Sequence, residues 1–155
     1  MNLQALDAEG KIFEFNPDML KGQTTVIYFY PKDNTSGCTK EACYFRDNFN
    51  RLTRYAQIIG VSPDSIDSHI KFRQRQNLNF TLVSDPEHIL SLKFGVWKEK
   101  SMYGHKYMGI ERSSFVLDSQ GNIIKEWRKV KVNSHIDEIL TFFTDIVKKS
   151  VFQIK

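Results

Sequence analysis

The sequence has only two cysteines and four prolines, and it lacks any long hydrophobic run. A membrane-spanning helix needs about 18 consecutive apolar residues, so no membrane span is predicted. The first residues carry neither the charged nor the apolar segment of a signal peptide, and we therefore expect a cytoplasmic protein. Because structural disulfides do not persist in that compartment, the two cysteines are expected to be either inert or redox-active.

Concentrated charge is also missing. The net charge is +4, but lysine and arginine are scattered along the chain, which argues against a nucleic-acid partner. The histidines show no paired spacing of the kind that metal sites use, so no metal site is predicted. These four residues are His69, His88, His105 and His135.

The order of apolar patterns predicts a single α/β domain over residues 1–155. Strands are predicted at 11–15, 24–30, 57–61 and 81–83, and a hairpin at 113–117 and 123–127. Helices are predicted at 39–55, 65–76, 87–94 and 134–148, while 95–109 is predicted to be a loop. Two β-α units followed by a hairpin and a helix favour a thioredoxin-like three-layer α/β/α sandwich with a mixed central sheet.

Both cysteines follow the most apolar of the predicted strands. Thr35 and Ser36 are residue types that cap helices, and Gly37 allows a tight turn before Cys38. Cys38 is therefore expected in the first helical turn, where free N–H groups and the helix dipole favour a thiolate. Since the thiolate is the nucleophilic form, we interpret Cys38 as a reactive thiol rather than a small buried hydrophobe.

Cys43 lies five residues after Cys38. On an intact helix this spacing means a rise of about 7.5 Å and a rotation of about 140°, which separates the Cα atoms by roughly 8 to 9 Å. A disulfide needs about 4.4 to 6.8 Å between them. A bond between the two cysteines therefore requires the start of the helix to unwind, although the spacing equally allows Cys43 to be a core thiol.

A thiolate alone does not make an efficient enzyme. An ordinary thiol is about 3% ionised at pH 7, so complete ionisation gains only about thirty-fold, whereas enzymes accelerate reactions by about a million-fold or more. Hydrogen-bond donors must orient the substrate and stabilise the leaving atom. The Thr35 hydroxyl and the backbone N–H groups of Gly37 and Cys38 are candidate donors. The residues leave Arg46, Arg112 and several lysines open as the necessary cation.

The pattern Pro31-x-x-x-Thr35-x-x-Cys38 resembles the peroxidatic motif of peroxiredoxins. Cys43, five residues later, resembles the bacterioferritin-comigratory (peroxiredoxin Q) branch of that family. Similar segments follow in the same order over most of the chain, at 28–32, 43–47, 60–62, 79–82, 94–97 and 109–115. One departure concerns Ser36, which occupies a position where this branch usually has proline.

The resemblance implies an atypical two-cysteine peroxiredoxin that reduces hydrogen peroxide and organic hydroperoxides without a cofactor. In that family the residue matching Cys38 forms a sulfenic acid, and the residue matching Cys43 converts it into an intramolecular disulfide. A thioredoxin-type protein is the reductant that the resemblance implies. Because the disulfide forms within one chain, a monomer is expected.

The resemblance also implies roles for residues around the sulfur. Thr35 would bind both peroxide and thiolate, Pro31 would shield the sulfur from water, and Arg112 would be the cation. Glu41 would help to hold that arginine. Two other functions remain open: a disulfide oxidoreductase, although this class prefers Cys-x-x-Cys, and a non-catalytic binding or chaperone-like module.

Overall fold

Residues 25–29 form a strand that is buried along its whole length, because it carries apolar side chains on both faces. The computed structural model describes residues 2–154, with side chains up to residue 150; Met1 and Lys155, the ends of the expected domain, lie outside the described residues. The nine strands described are β1 (Leu3–Leu6), β2 (Ile12–Phe15), β3 (Thr25–Phe29), β4 (Gln57–Ser62), β5 (Thr81–Ser84), β6 (Trp97–Met102), β7 (His105–Ile110), β8 (Ser113–Leu117) and β9 (Ile123–Arg128). The helices are α1 (Ser36–Asp47), α2 (Phe49–Leu52), α3 (Ile66–Gln76), α4 (Ile89–Lys93) and α5 (Val132–Ile154), with a 3₁₀ turn at Pro17–Leu20.

Seven strands form one mixed sheet in the order β2-β1-β5-β4-β3-β8-β9. Strands β3, β4 and β5 are parallel, whereas the pairings of β1 with β2 and β5, and of β8 with β3 and β9, are antiparallel. The parallel strands lie at the centre, where both faces are covered. The thioredoxin-like sandwich with a mixed central sheet is therefore confirmed.

Two apolar clusters cover the two faces of the sheet. Alternate side chains of β3 enter different clusters because successive residues of a strand point to opposite faces. Tyr28 packs with Phe45 of α1 on one face, in a cluster that also contains residues of α3 and α5. Phe29 packs with Phe94 and Phe115 on the other face, with residues of α4 and β7. Residues 30–35 connect the carboxyl end of β3 to the start of α1.

The prediction of a loop at 95–109 was wrong. Residues of this segment form the separate two-stranded hairpin β6–β7. Most of its side chains are exposed, so it lacks the apolar alternation that identifies a half-buried strand. Its turn contains Tyr103 and Gly104, both with positive φ (53° and 82°), as a tight hairpin turn requires.

Other boundaries also differ from the predictions. Strand β1 was not predicted, and it joins β2 to the edge of β5. The helix predicted at 39–55 begins earlier, at Ser36, and is interrupted at Asn48, whose φ and ψ of −106° and 12° leave the helical region. The last helix extends beyond the predicted 134–148. Among the described residues, no helix is long and apolar enough to cross a bilayer.

Candidate active site

The segment between β3 and α1 turns the chain sharply before the first cysteine. Asn34 has a positive φ of 63°, and Thr35 follows in an extended conformation as the N-cap of α1. The Thr35 carbonyl accepts a hydrogen bond from the Thr39 N–H at 2.8 Å. The Thr35 hydroxyl donates to the carbonyl of Lys32 at 2.9 Å. In this state Thr35 therefore shapes the loop, and its hydroxyl is directed at a backbone oxygen rather than at a cysteine.

Cys38 lies in the first turn of α1, as predicted, with only 2% of its surface exposed. Nη2 of Arg112 donates to its sulfur at 3.3 Å. A Cβ atom at Gly37 would lie 3.4 Å from the same nitrogen, so Gly37 lies directly beside the guanidinium. The two cysteines are both free thiols. The start of α1 and the guanidinium of Arg112 together provide a positive environment that favours a thiolate.

Glu41 holds the other side of the same guanidinium. Nη1 of Arg112 donates to Oε1 of Glu41 at 2.6 Å, and Glu41 is 2% exposed. Burial raises the pKa of Glu41 to about 7, although the charge and hydrogen bond of Arg112 oppose this rise. Burial also acts against the charged form of Arg112, but Glu41 and Cys38 together outweigh it and raise the pKa of Arg112. Arg112 therefore stays cationic beside the sulfur.

A groove of about 410 Å³ leads from solvent to Arg112. Lys98, Lys100 and Lys129 line it, together with Glu99, Glu111 and Val130. Burial and the nearby Arg112 lower the pKa of Lys100, while Cys38 and Glu111 act in the opposite direction. The groove offers a route by which a small molecule can approach the arginine.

Cys43 faces a different part of the protein. Its sulfur is half-buried and lies 3.6 Å from Oε1 of Gln76, the last residue of α3. Arg46 is on the same side, where Nη1 donates to the Gln76 carbonyl at 2.6 Å. Of the two arginines that the sequence left open, Arg112 contacts Cys38, whereas Arg46 contacts α3. Cys43 packs against a polar amide and is not a core thiol enclosed by apolar groups.

The predicted residues thus fall into two groups. Cys38, Arg112, Glu41 and Gly37 meet at one point. Pro31 lies half-buried in the loop before α1. Among the described residues, neither Pro31 nor Thr35 forms a hydrogen bond with the Cys38 sulfur.

Sequence reasoning missed a buried polar cluster beneath the same loop. Asp33, Asp64 and His69 lie with their ligand-type atoms within 4.8 Å of one another. Hydrogen bonds from protein groups already occupy the Asp33 carboxylate. Spacing among the histidines gives no sign of this cluster. The signal in the sequence is the aspartate in the loop that precedes the helix of Cys38.

Residues 1–126 match the AhpC/TSA family model, a range that includes every residue of the Cys38 site. The chain belongs to the AhpC/TSA family. It is 53% identical over 130 residues to Peroxiredoxin Bcp of Bacillus subtilis, covering 83% of each chain. Peroxiredoxin Bcp of Escherichia coli is 38% identical over 140 residues, which are 90% of this chain and 88% of that relative.

Solved structures agree with this assignment to the AhpC/TSA family. Peroxiredoxin Q of Xanthomonas campestris superposes with a TM-score of 0.84 and 40% identity, covering 94% of this chain and 90% of the other. Another match of the same score and coverage concerns the alkyl peroxide reduction activity of the bacterioferritin comigratory protein from that organism. This AhpC/TSA protein is a thiol peroxidase of the peroxiredoxin type.

Proposed function

We propose that Cys38 is the peroxidatic cysteine, that Cys43 resolves its sulfenic acid as an intramolecular disulfide, and that a thioredoxin-type protein reduces this disulfide. The observation that carries the proposal is the Arg112 hydrogen bond to the Cys38 sulfur in the first turn of α1. This contact brings the Cys38 sulfur and a fixed cation together at one point. No metal, haem or flavin takes part in the proposed cycle.

In the first step the Cys38 thiolate attacks the terminal oxygen of a hydroperoxide. An S–O bond forms, the O–O bond breaks, and the departing alkoxide or hydroxide takes up a proton to leave as alcohol or water. Arg112 stabilises the negative charge as it moves from sulfur to the departing oxygen. Glu41 positions the guanidinium, and the N–H groups at the start of α1 point to the same region.

In the second step the Cys43 thiol condenses with the Cys38 sulfenic acid. An S–S bond forms, the S–O bond breaks, and water leaves. Both cysteines belong to one continuous helix and have different partners, Arg112 and Gln76. Because five helical residues separate the Cα atoms by more than a disulfide allows, the first turns of α1 must unwind before this step.

In the third step an external dithiol restores both thiols. Exchange with a thioredoxin-type protein passes its two electrons to the Cys38–Cys43 disulfide and leaves that partner oxidised. The cycle needs no second subunit, which supports a monomer. It starts and ends with free thiols, which supports work in a reducing compartment such as the cytoplasm.

We propose hydrogen peroxide and organic hydroperoxides as substrates. The alkyl peroxide reduction activity named for the Xanthomonas relative supports the organic class.

Titration of the reduced protein with one equivalent of peroxide tests this cycle. We expect loss of both free thiols, a mass lower by about 2 Da and a Cys38–Cys43 crosslink in the peptide map. Cys43→Ser should retain the first oxidation and accumulate sulfenic acid at Cys38, whereas Cys38→Ser should not react. Unchanged thiols in the native protein would contradict the proposal.

The reductant is tested separately by turnover with matched concentrations of a thioredoxin system and a glutathione–glutaredoxin system. We expect steady NADPH consumption with thioredoxin and little with glutaredoxin. Faster turnover with glutaredoxin would reject the proposed reductant and leave the two-cysteine chemistry standing.

A further inference from the structure

The loop before α1 contains a buried carboxylate that the peroxidase chemistry does not use. Asp33 is 4% exposed, although it belongs to a connection between a strand and a helix. Its Oδ1 accepts from the Tyr30 hydroxyl at 2.6 Å, and its Oδ2 accepts from the Ser68 hydroxyl at 2.8 Å. Its backbone N–H donates to Asp64 at 2.8 Å. Main chain and side chain of this residue are thus both fixed.

His69 completes the contacts of that carboxylate. Its Nδ1 lies 2.6 Å from Oδ2 of Asp33, and its Nε2 lies 3.0 Å from the carbonyl of Val83 in β5. A carbonyl oxygen only accepts, so Nε2 carries a hydrogen. Both nitrogens of a fully buried ring are used, one to hold the loop and one to hold the ring against the sheet.

The position of this pair along the chain matters for the reaction. Asn34, with its positive φ, follows Asp33 directly, and the helix begins after Thr35. Helix α3 carries His69 in its first half and ends at Gln76, which contacts Cys43. The same helix thus contacts the chain before the peroxidatic cysteine and the resolving cysteine after it.

We propose that Asp33 and His69 are a positioning pair for the peroxide step. They fix the loop so that Thr35, Gly37 and the first turn of α1 present the Cys38 sulfur to Arg112. The part of the chain that unwinds for the disulfide begins after Asp33, so the pair is not needed for the second step. Only the statement that the pair is not needed for the second step rests on the proposed two-cysteine cycle.

Two substitutions of His69 separate positioning from general stability. The amide nitrogen of His69→Asn takes the place of Nδ1 and retains the hydrogen bond to Asp33. The amide of His69→Gln reaches the place of Nε2 and retains the bond to Val83, while the bond to Asp33 is lost. The longer Gln side chain also fills more of the buried volume. If His69 only stabilised the fold, His69→Gln would therefore impair the protein less than His69→Asn.

Stopped-flow tryptophan fluorescence provides the readout, with the peroxide-dependent phase reporting the first step and the peroxide-independent phase the second. We expect His69→Gln to lower the second-order rate constant of the first phase about ten- to a hundred-fold and to leave the second phase within about two-fold. His69→Asn should stay within about three-fold of the native protein in the first phase. Asn16→Ala, which removes the N-cap of the 3₁₀ turn Pro17–Leu20 and takes no part in the contacts of Asp33, is the control for loss of stability and should change neither phase.

The first phase alone decides the proposal. Equal first-phase rates in His69→Gln and the native protein would overturn it, as would a His69→Gln variant that is faster than His69→Asn. If a His69 variant is unfolded at 25 °C, its rates are measured at 10 °C. If it is unfolded there too, Asp33→Asn, which keeps the shape of the carboxylate, replaces it and should slow the first phase relative to Asn16→Ala. Absence of a second phase in the native protein would instead reject the two-cysteine cycle and leave the first-phase comparison valid.

Discussion

Nη2 of Arg112 lies 3.3 Å from the sulfur of Cys38, although the two residues are 74 positions apart in the sequence. The sheet creates this contact, because α1 follows β3 and Arg112 immediately precedes β8, the antiparallel neighbour of β3. The other terminal nitrogen of the guanidinium is held by Glu41, which lies one helical turn after Cys38 on α1. One helix thus carries both Cys38 and the carboxylate that orients the guanidinium beside its sulfur.

Replacement of Arg112 by glutamine is expected to slow the peroxide step most strongly. The neutral amide cannot stabilise charge on the departing oxygen, and loss of such a donor costs about a hundred- to a thousand-fold. Arg112→Lys retains a charge without the two-pronged geometry and should fall between Arg112→Gln and the native protein. The second-order rate constant of the first fluorescence phase measures the effect.

Arg46→Lys is the matched control for that series. Arg46 belongs to the same helix as Cys38, but it contacts Gln76 and Asp47 instead. Its substitution should leave the first phase within about two-fold. A loss as large as that of Arg112→Lys would contradict the assignment of the cation.

Glu41→Gln is expected to change how stability depends on pH. Burial raises the pKa of Glu41 from its usual 4.5 to about 7, so between these values the folded state binds more protons than the unfolded state. The Glu41 contribution to the free energy of unfolding therefore decreases as pH rises from about 4.5 to 7. This contribution amounts to at most about 3 kcal/mol over the window.

Urea unfolding of the reduced protein at pH 5, 6, 7 and 7.5 measures this contribution. The amide introduced by Glu41→Gln keeps an oxygen for Arg112 but does not titrate, so the variant should lose less stability than the native protein between pH 5 and 7.5. Glu99→Gln removes an exposed carboxylate and should leave the pH dependence unchanged. Parallel curves for the native protein and the Glu41→Gln variant would show that Glu41 is not protonated in this range.

Ser36→Pro is expected to stabilise α1. Ser36 is the first residue of the helix, where proline is favourable, and Thr35 has the extended backbone (φ −82°, ψ 155°) that a residue before proline adopts. The free energy of unfolding should increase by about 0.4 to 1 kcal/mol. If α1 must unwind for the second step, that phase should become about two- to five-fold slower by the same free energy.

Urea unfolding and the second fluorescence phase test this prediction together. Ser36→Ala serves as the control, because it removes the hydroxyl without restricting the backbone. A destabilised proline variant would show that the start of α1 differs from the structure. A more stable variant with a faster second phase would argue against unwinding at this end of the helix.

The parts of the fold that sequence patterns predicted are those with strong burial. Strand β3 is apolar on both faces, and α3 and the β8–β9 hairpin have clear periodicity or turn signals. The hairpin β6–β7 was missed because most of its side chains are exposed, and β1 because its four residues include no β-branched or aromatic side chain. Backbone hydrogen bonds between neighbouring strands stabilise such segments, and the pattern of side chains does not reveal these bonds.

The site was predictable where local sequence determines it. Cys38 in the first helical turn follows from the cap residues and Gly37 just before it. The choice of Arg112 over Arg46 depends on a contact across the sheet, and the residues alone left it open. The Asp33–His69 contact spans 36 positions, so it becomes visible only when α3 is placed beside the loop.

Backbone hydrogen exchange of α1 in the reduced and the disulfide forms tests the central claim most directly. We predict that amides of residues 39–43 are protected in the reduced protein and exchange at least about ten-fold faster once the Cys38–Cys43 disulfide has formed. Amides of α5, which does not unwind, should change little. A disulfide form in which residues 39–43 stay as protected as in the reduced protein would contradict the requirement that the helix unwinds.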